Sequence, residues 1–540
     1  MLNNYFNKAK VGEIVKGKNK RTIKTILIAE CLILAVLLVL LCVPRTEKPN
    51  GASESVSLNT NGEHEPGSVE KNEGAGSLIP EHESNAQGNE SVKEEQAGKT
   101  PDESELQGSA ENPGGETEQE ITENPETVPA DGAESTEQEA LAQQDAMERL
   151  KETADRLAAM YDYDAAMALI QSYDGYENET VLTDAFLTYE SQKAACKPWA
   201  DNTKISHVFF HSLIADTSLA LGPNSGTRDG YNRYMTTIEE FEKIIQQMYD
   251  RGYVLVGIHD ISEIVVQEDG TEKMVMKKIL LPEGKIPFVM SQDDVNYYDY
   301  MDGEGFATKI VIGEDGKPTC EYIQKDGTVV TGDYDLVPVL DRFVEAHPDF
   351  SYRGAKAILA ITGYEGTLGY ETAPYRYDEV KHLAALSSDE KKIMLEAEKE
   401  ACKEVVDALK ADGYEFASHS YGHGNMQTNS VEKFKYDMNR WLDEVGSLLG
   451  DTDVFIYPFG ADICDWRGYH GEKYEYAIAN GFRYFCNVDS AQYWVQMKND
   501  YLRQGRINLD GERMMKDPDK LSCFFDVESV LDPTRPPLEE

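Results

Sequence analysis

Two short strings carry the residues most able to do chemistry, Ser291-Gln292-Asp293-Asp294 and Ser418-His419-Ser420-Tyr421-Gly422-His423. Together they offer one carboxylate and two imidazoles to a metal ion and leave a second carboxylate beside it. Such a set suits metal-assisted hydrolysis of an unreactive amide or ester: the ion activates water, and the spare carboxylate takes its proton. Two His and one acid also leave an open coordination position, which distinguishes a catalytic zinc site from a structural one. Each string has a plainer reading. Asp-Asp pairs after a strand serve as helix caps or turn residues, and an H-x-x-x-H spacing arises by accident. The conjunction of both strings points to a metal.

These groups need a scaffold, and the pattern from Ser206 onward supplies one. Apolar runs at His207-Val208-Phe209-Phe210, Tyr253-Val254-Leu255-Val256, Ile286-Pro287-Phe288-Val289-Met290, Ile358-Leu359-Ala360-Ile361, Phe416-Ala417, Val454-Phe455-Ile456-Tyr457 and Tyr484-Phe485-Cys486 alternate with amphipathic stretches such as residues 238–249. Buried strands alternating with helices predict a parallel sheet, and this many favour an α/β barrel, closed or nearly so. His211, His259, Asp293, Asp294, Thr362, His419, Phe459 and Asp489 then all fall at or just past a strand's C-terminal end, the rim where barrel enzymes build their sites. Residues 262–281 and 309–333 break the alternation and carry Asp-Gly turn signals at 269, 315 and 326, so they read as hairpin insertions.

The motifs and their order resemble the polysaccharide deacetylase, or NodB-homology, family of carbohydrate esterases over residues 205–506. The family's Thr/Ser-Phe-Asp-Asp-Gly string is matched by Ser291-Gln292-Asp293-Asp294-Val295, which keeps the acids and departs at Gln292 and Val295. His419 to His423 meets the His-Ser/Thr-x-x-His string in full. Tyr457-Pro458-Phe459-Gly460 matches the string ending Pro-Tyr-Gly, with Ile456 where Arg often stands, and Asp489-Ser490 with Trp494 resembles the fourth motif. The resemblance implies a distorted (β/α) barrel of the polysaccharide deacetylase type. It implies Asp294, His419 and His423 as ligands of a divalent metal, usually Zn, with Asp293 as general base and the Phe459 amide as an oxyanion donor. Asp489 and Trp494 would line the substrate, although Trp494 fits a core position equally. Thr362-Gly363-Tyr364 either touches sugar or turns the chain.

The family's late Leu-x-His string, which supplies an acid to the leaving amine, has no counterpart, since no His follows His470. Val208-Phe209-Phe210-His211-Ser212 resembles that string moved to the first strand, as in circularly permuted members, which makes His211 the expected acid and His259 the fallback. The implied activity is metal-dependent removal of N-acetyl groups from a cell-wall or surface polysaccharide. Gln292, Val295 and Ile456 favour the alternative of a weakly active or inactive glycan-binding protein on a deacetylase barrel, and an amide hydrolase acting on non-sugar substrates is a third reading.

The N-terminal part bears on location. Residues 1–24 hold seven Lys or Arg and one acid, and residues 25–43 form an apolar run interrupted only by Glu30. Nineteen residues reach roughly 28 Å, enough to cross a bilayer core. The run lacks an A-x-A cleavage site, which favours an uncleaved transmembrane helix with a cytoplasmic basic segment at 1–24. From 46 to 140 there are 24 acids against 4 Lys, with no aromatic residue. Such a chain cannot bury enough apolar surface to offset its entropy, so residues 44–140 read as a disordered acidic linker. Helical periodicity at Leu150, Ala154, Leu157, Ala158 and Tyr161, then at Ala165, Ala166, Leu169 and Ile170, predicts a helical stalk over 141–200 before the 201–540 domain. A net charge of −46 argues against a basic surface for nucleic acid. The eight Cys show no C-x-x-C spacing and leave disulfide pairing open.

Overall fold

The computed structural model describes residues 131–538. The predicted basic segment, the span at 25–43 and most of the acidic linker lie outside these residues. Among the described residues no helix is long and apolar enough to cross a membrane.

Eight strands build the barrel: β1 (Ser206–Phe210), β2 (Tyr253–Leu255), β3 (Ile286–Gln292), β4 (Ile358–Ile361), β5 (Glu415–Ser418), β6 (Val454–Ile456), β7 (Tyr484–Val488) and, after the short antiparallel β8 (Trp494–Met497), β9 (Leu502–Asn508). Seven of them close a parallel ring in the order β1-β3-β4-β5-β6-β7-β9 and back to β1. The eighth, β2, stays outside the ring and distorts it. It pairs with Ile286–Phe288 at the start of β3, while β4 takes Ser291 and Gln292 at the end of the same edge. The predicted strands are all present because each is a short apolar run with two faces to bury. Leu359 and Ile361 pack outward with helix residues such as Phe241, Leu340 and Val405, whereas Ile358 and Ala360 face the interior with Val254, Ala417 and Ile456. The surrounding helices follow local signals. The helix α4 (Ile238–Asp250) opens on a Thr237/Glu240 capping box and buries Phe241, Ile244, Ile245 and Met248 at helical spacing.

Both predicted insertions are β-structure. Ser262–Val266 and Glu272–Met276 form one hairpin, and Ala307–Ile312, Pro318–Ile323 and Val329–Gly332 form a three-stranded meander. Their turns place Gly270, Gly316 and Gly327 at φ near +80°, where a side chain would strain the backbone.

Two expectations are corrected. The first concerns the helices α1 (Asp131–Ala159), α2 (Tyr163–Gln171) and α3 (Thr180–Ala195). Helix α1 begins inside the stretch read as linker, and the three together supply the helical segment expected at 141–200. Ala154, Ala158, Ala166, Ile170, Leu182 and Tyr189 share one core with the barrel interior, and Tyr161 stacks on Tyr352 in the segment leading into β4. They cap the N-terminal end of the barrel, and burial of their apolar stripe holds them there. The second concerns His259. Because β2 is displaced toward the start of β3, its end does not reach the rim. His259 instead hydrogen-bonds Glu415, the first residue of β5, and Asp453, just before β6, at the end of the barrel opposite the predicted site. All six described cysteines are free.

Burial alone would lower the pKa of His259, but its hydrogen bonds to Asp453 and Glu415 outweigh that and hold it at about 10. A folded-state pKa above the unfolded value of about 6.5 stabilises the fold fully below pH ~6.5, and the contribution is lost as pH rises through about 10. Replacing His259 with Gln should therefore lower Tm most at pH 6 and little at pH 10.5. Thermal unfolding across that range checks it, and a pH-independent difference would contradict the ion-pair origin.

Candidate active site

Where β3 ends, the chain turns with its two acids held between neighbouring strands. The Asp293 N–H donates to the Phe210 carbonyl on β1 (2.8 Å), and the Val295 N–H donates to the Ala360 carbonyl on β4 (3.2 Å). Asp294 adopts φ +58°, a left-handed conformation that Asp tolerates better than most residues. The two carboxylates then face different partners. Asp293 is buried and accepts two bonds from the Arg506 guanidinium, at 2.6 and 2.9 Å. Asp294 accepts the Tyr298 hydroxyl on Oδ1 (2.7 Å) and brings Oδ2 to 3.5 Å from His423 Nε2.

The histidines sit on the loop after β5. The His419 N–H donates to the Ile361 carbonyl at the end of β4. Asp437 accepts the N–H groups of Tyr421 (2.8 Å) and Gly422 (2.9 Å), which pins the loop although Ser420 and His423 both have positive φ. The His419 Nδ1–H donates to the Ile456 carbonyl (2.9 Å), so Nε2 carries the lone pair and lies 4.0 Å from Asp293 Oδ2. Fixing one ring nitrogen to a carbonyl is how proteins orient a metal-ligating imidazole. His423 Nδ1 is buried with no hydrogen-bond partner, and the Phe459 ring packs edge-on against this imidazole at 4.5 Å. Four non-glycine residues here, Asp294, Ser420, His423 and Phe459, have φ between +48° and +60°. Strain gathered in this way is typical of functional sites.

The donor atoms of Asp294, His419 and His423 lie within 4.8 Å of one another. Electrostatics suits a divalent cation. Burial lowers the His419 pKa to about 4 despite Asp293 and Asp294, so the ring is neutral, as a ligand must be. Burial alone would raise both carboxyl pKa values. The Arg506 guanidinium, by its charge and its hydrogen bonds, drives Asp293 far below the usual range, and His423 together with the Tyr298 hydroxyl bond lowers Asp294. Both acids are ionised at neutral pH. The residues present therefore fit a Zn-like ion held by two imidazoles and a carboxylate.

His211 is half-buried at the end of β1, near both acids, and its Nδ1–H donates to the Tyr234 carbonyl (3.0 Å). Asp489 lies at the rim, donates its N–H to the Arg506 carbonyl and spends a carboxylate oxygen on the Ala491 N–H. Trp494 is not brought into the cluster. It pairs with Gly505 and lies under the Arg503 guanidinium (5.0 Å), on the face of β9 opposite Arg506. Thr362 and Tyr364 stand behind Asp294: the Thr362 hydroxyl is 2.8 Å from that of Tyr298, and Tyr364 stacks on the Tyr298 ring at 4.7 Å.

Arg506 and Tyr298 do not emerge from the motifs. A signal for Arg506 exists, because an Arg within a fully buried strand requires an anionic partner. It supplies a buried guanidinium that Ile456, at the place where Arg often stands, does not. Gln292 has its own explanation. Its amide donates to both oxygens of buried Asp335 (2.9 Å each), whose carboxylate also accepts the Tyr297 hydroxyl and the Leu213 N–H.

The polysaccharide deacetylase family matches residues 390–484, the stretch that includes both histidines. The resemblance to this family holds. Among the solved structures that align with the chain are two at a TM-score of 0.31 each. One is a Streptococcus pyogenes deacetylase, PplD, in complex with acetate, at 12% identity over 61% of this chain and 98% of that one. The other is BA0330 of Bacillus anthracis, assigned as a polysaccharide deacetylase, at 10% identity over 62% of this chain and 68% of that one. No curated protein matches the chain.

The folded domain should bind about one divalent ion per chain, and His419→Ala or His423→Ala should weaken that binding by orders of magnitude. Tyr298→Phe, which frees the outer oxygen of Asp294, should cost about 10–100-fold in affinity. Metal titration with elemental analysis checks both. Stoichiometric metal in the double His variant would remove the assignment.

Proposed function

We propose that the protein is a metal-dependent hydrolase that removes N-acetyl groups from a cell-wall or surface polysaccharide. The observation that carries this reading is the placement of a metal-ligand set, Asp294, His419 and His423, beside the arginine-paired Asp293 at one barrel rim. A divalent ion held there by Asp294, His419 and His423, a donor set suited to zinc, would lower the pKa of water and polarise a carbonyl.

The side chains divide the remaining work. Asp293 accepts the proton of the attacking water, and Arg506 keeps it ionised and oriented for that task. The Phe459 N–H donates to the oxyanion that develops on the acetyl carbonyl. An amide nitrogen leaves poorly unless protonated, and His211 delivers that proton from Nε2, since its Nδ1–H is committed to Tyr234. The Asp335 carboxylate that fixes Gln292 also fixes Leu213, two residues after His211, so Gln292 belongs to an intact scaffold. The apolar run at 25–43 would anchor the chain in the cell membrane, with the catalytic domain outside and the acidic linker giving it reach to polysaccharide.

Purified protein should release acetate from N-acetylglucosamine polymers and stop when a chelator is added. Asp293→Asn should keep the metal and lose about 10²-fold or more in kcat. His211→Ala should remove most activity on amides and the alkaline limb of the kcat/KM profile, while an activated ester, whose leaving group needs no proton, suffers much less. Equal losses on both substrates would make His211 structural. Absence of acetate release from the metal-loaded protein would overturn the reading.

A further inference from the structure

The base-side ion pair continues into the barrel as a chain of buried groups. Arg506 Nη1, besides bonding Asp293, donates to the Ser291 hydroxyl at 3.1 Å. Ser291 Oγ lies 3.0 Å from His207 Nε2, His207 Nδ1 lies 3.2 Å from Gln504 Oε1, and Gln504 Nε2 donates to the Ile205 carbonyl at 3.0 Å. Arg506, Ser291, His207 and Gln504 are all fully buried. The direction of every bond is determined. Gln504 Nε2 is committed to the Ile205 carbonyl, so its Oε1 can only accept from a His207 Nδ1–H; Nε2 of the neutral ring then accepts the Ser291 proton, and the Ser291 oxygen accepts from Arg506, which only donates. His207 therefore carries its proton on Nδ1 and gives it to Gln504. Burial, with the Arg506 charge, keeps its pKa well below the ordinary value, which matches a neutral ring.

We propose that His207 is a positioning residue of the reaction: through Ser291 it aims the Arg506 guanidinium, and so orients Asp293 as the base. This rests on the deacetylase reading above. His207 touches neither substrate nor metal ligand. Its acceptor nitrogen forces the Ser291 proton inward and turns the hydroxyl oxygen toward Arg506. Without that acceptor the buried hydroxyl must find another partner, and the guanidinium loses one of the contacts that fix its plane.

The test compares His207→Leu, which has no acceptor, with His207→Gln, whose Oε1 can accept from Ser291 and whose Nε2 can donate to Gln504. The Leu variant should bind one metal ion and keep its KM, yet lose about 10–100-fold in kcat, the scale expected when a catalytic group is slightly misplaced. The Gln variant should recover most of that loss. Should the Leu variant fail to fold, Ser291→Ala removes the link with little change in volume and should show the same split between kcat and KM. A wild-type kcat in either, or a Gln variant no better than Leu, overturns the proposal. Crystal structures of the variants decide the matter even if the wild type releases no acetate. Arg506 displaced from its two-bond contact with Asp293 supports the positioning role, and an unmoved guanidinium overturns it.

Discussion

A guanidinium sealed from water is tolerable only beside an anion, because the desolvation cost of an unpaired buried charge is several kcal/mol or more. Arg506 on β9 meets that condition through Asp293 at the end of β3, the two strands that flank β1 in the ring. The pair stitches the closing strand to the strand that carries the acids. It also commits Asp293 inward, so the neighbouring acid is left to face the histidines, and Asp294 does so only by adopting a left-handed backbone. Two adjacent residues of identical chemistry thus receive different tasks from one turn. The strain at Asp294 is held by the strand bonds on either side of it.

A second buried carboxylate, Asp335, does similar work on the outer side of β3. It gathers the Gln292 amide, the Tyr297 hydroxyl and the Leu213 N–H, and Tyr297 in turn lies 4.0 Å from Cys320 of the meander. The inserted meander is therefore packed into the structure behind the acids rather than merely appended. A Phe at position 292 would leave the fully buried Asp335 short of donors, so Gln292 and Asp335 have to be understood together.

The two ends of the barrel follow different physical rules. At the C-terminal rim, strained loops, two ionised acids and a neutral His419 are held ready for a cation. At the N-terminal end, apolar stripes on α1, α2 and α3 close the interior, and His259 is held as a cation between Glu415 and Asp453. Polar groups that look alike in composition stabilise one end and equip the other.

Much of this was legible in the residues alone. Short apolar runs marked every strand because each buries two faces, Asp-Gly pairs marked the turns of both insertions, and the spacing of His419 and His423 with the Asp pair marked the cluster that could hold a metal. What the order of residues could not determine was which distant groups meet. Arg506 pairs with a carboxylate 213 positions away, and no local pattern records a partner that only ring closure brings close. His259 follows a strand as His211 does, yet lies at the opposite end, because the height of β2 is set by its pairing with the first half of β3 and not by its own sequence. Trp494 on β8 pairs with Gly505 and so faces the side of the sheet away from Arg506, because register decides which face a side chain takes, and register belongs to the sheet. The sequence by itself determined the strands, the turns and the chemical types of the ligands. The closed sheet decided their heights, their faces and their partners, since those depend on hydrogen bonds between segments hundreds of residues apart.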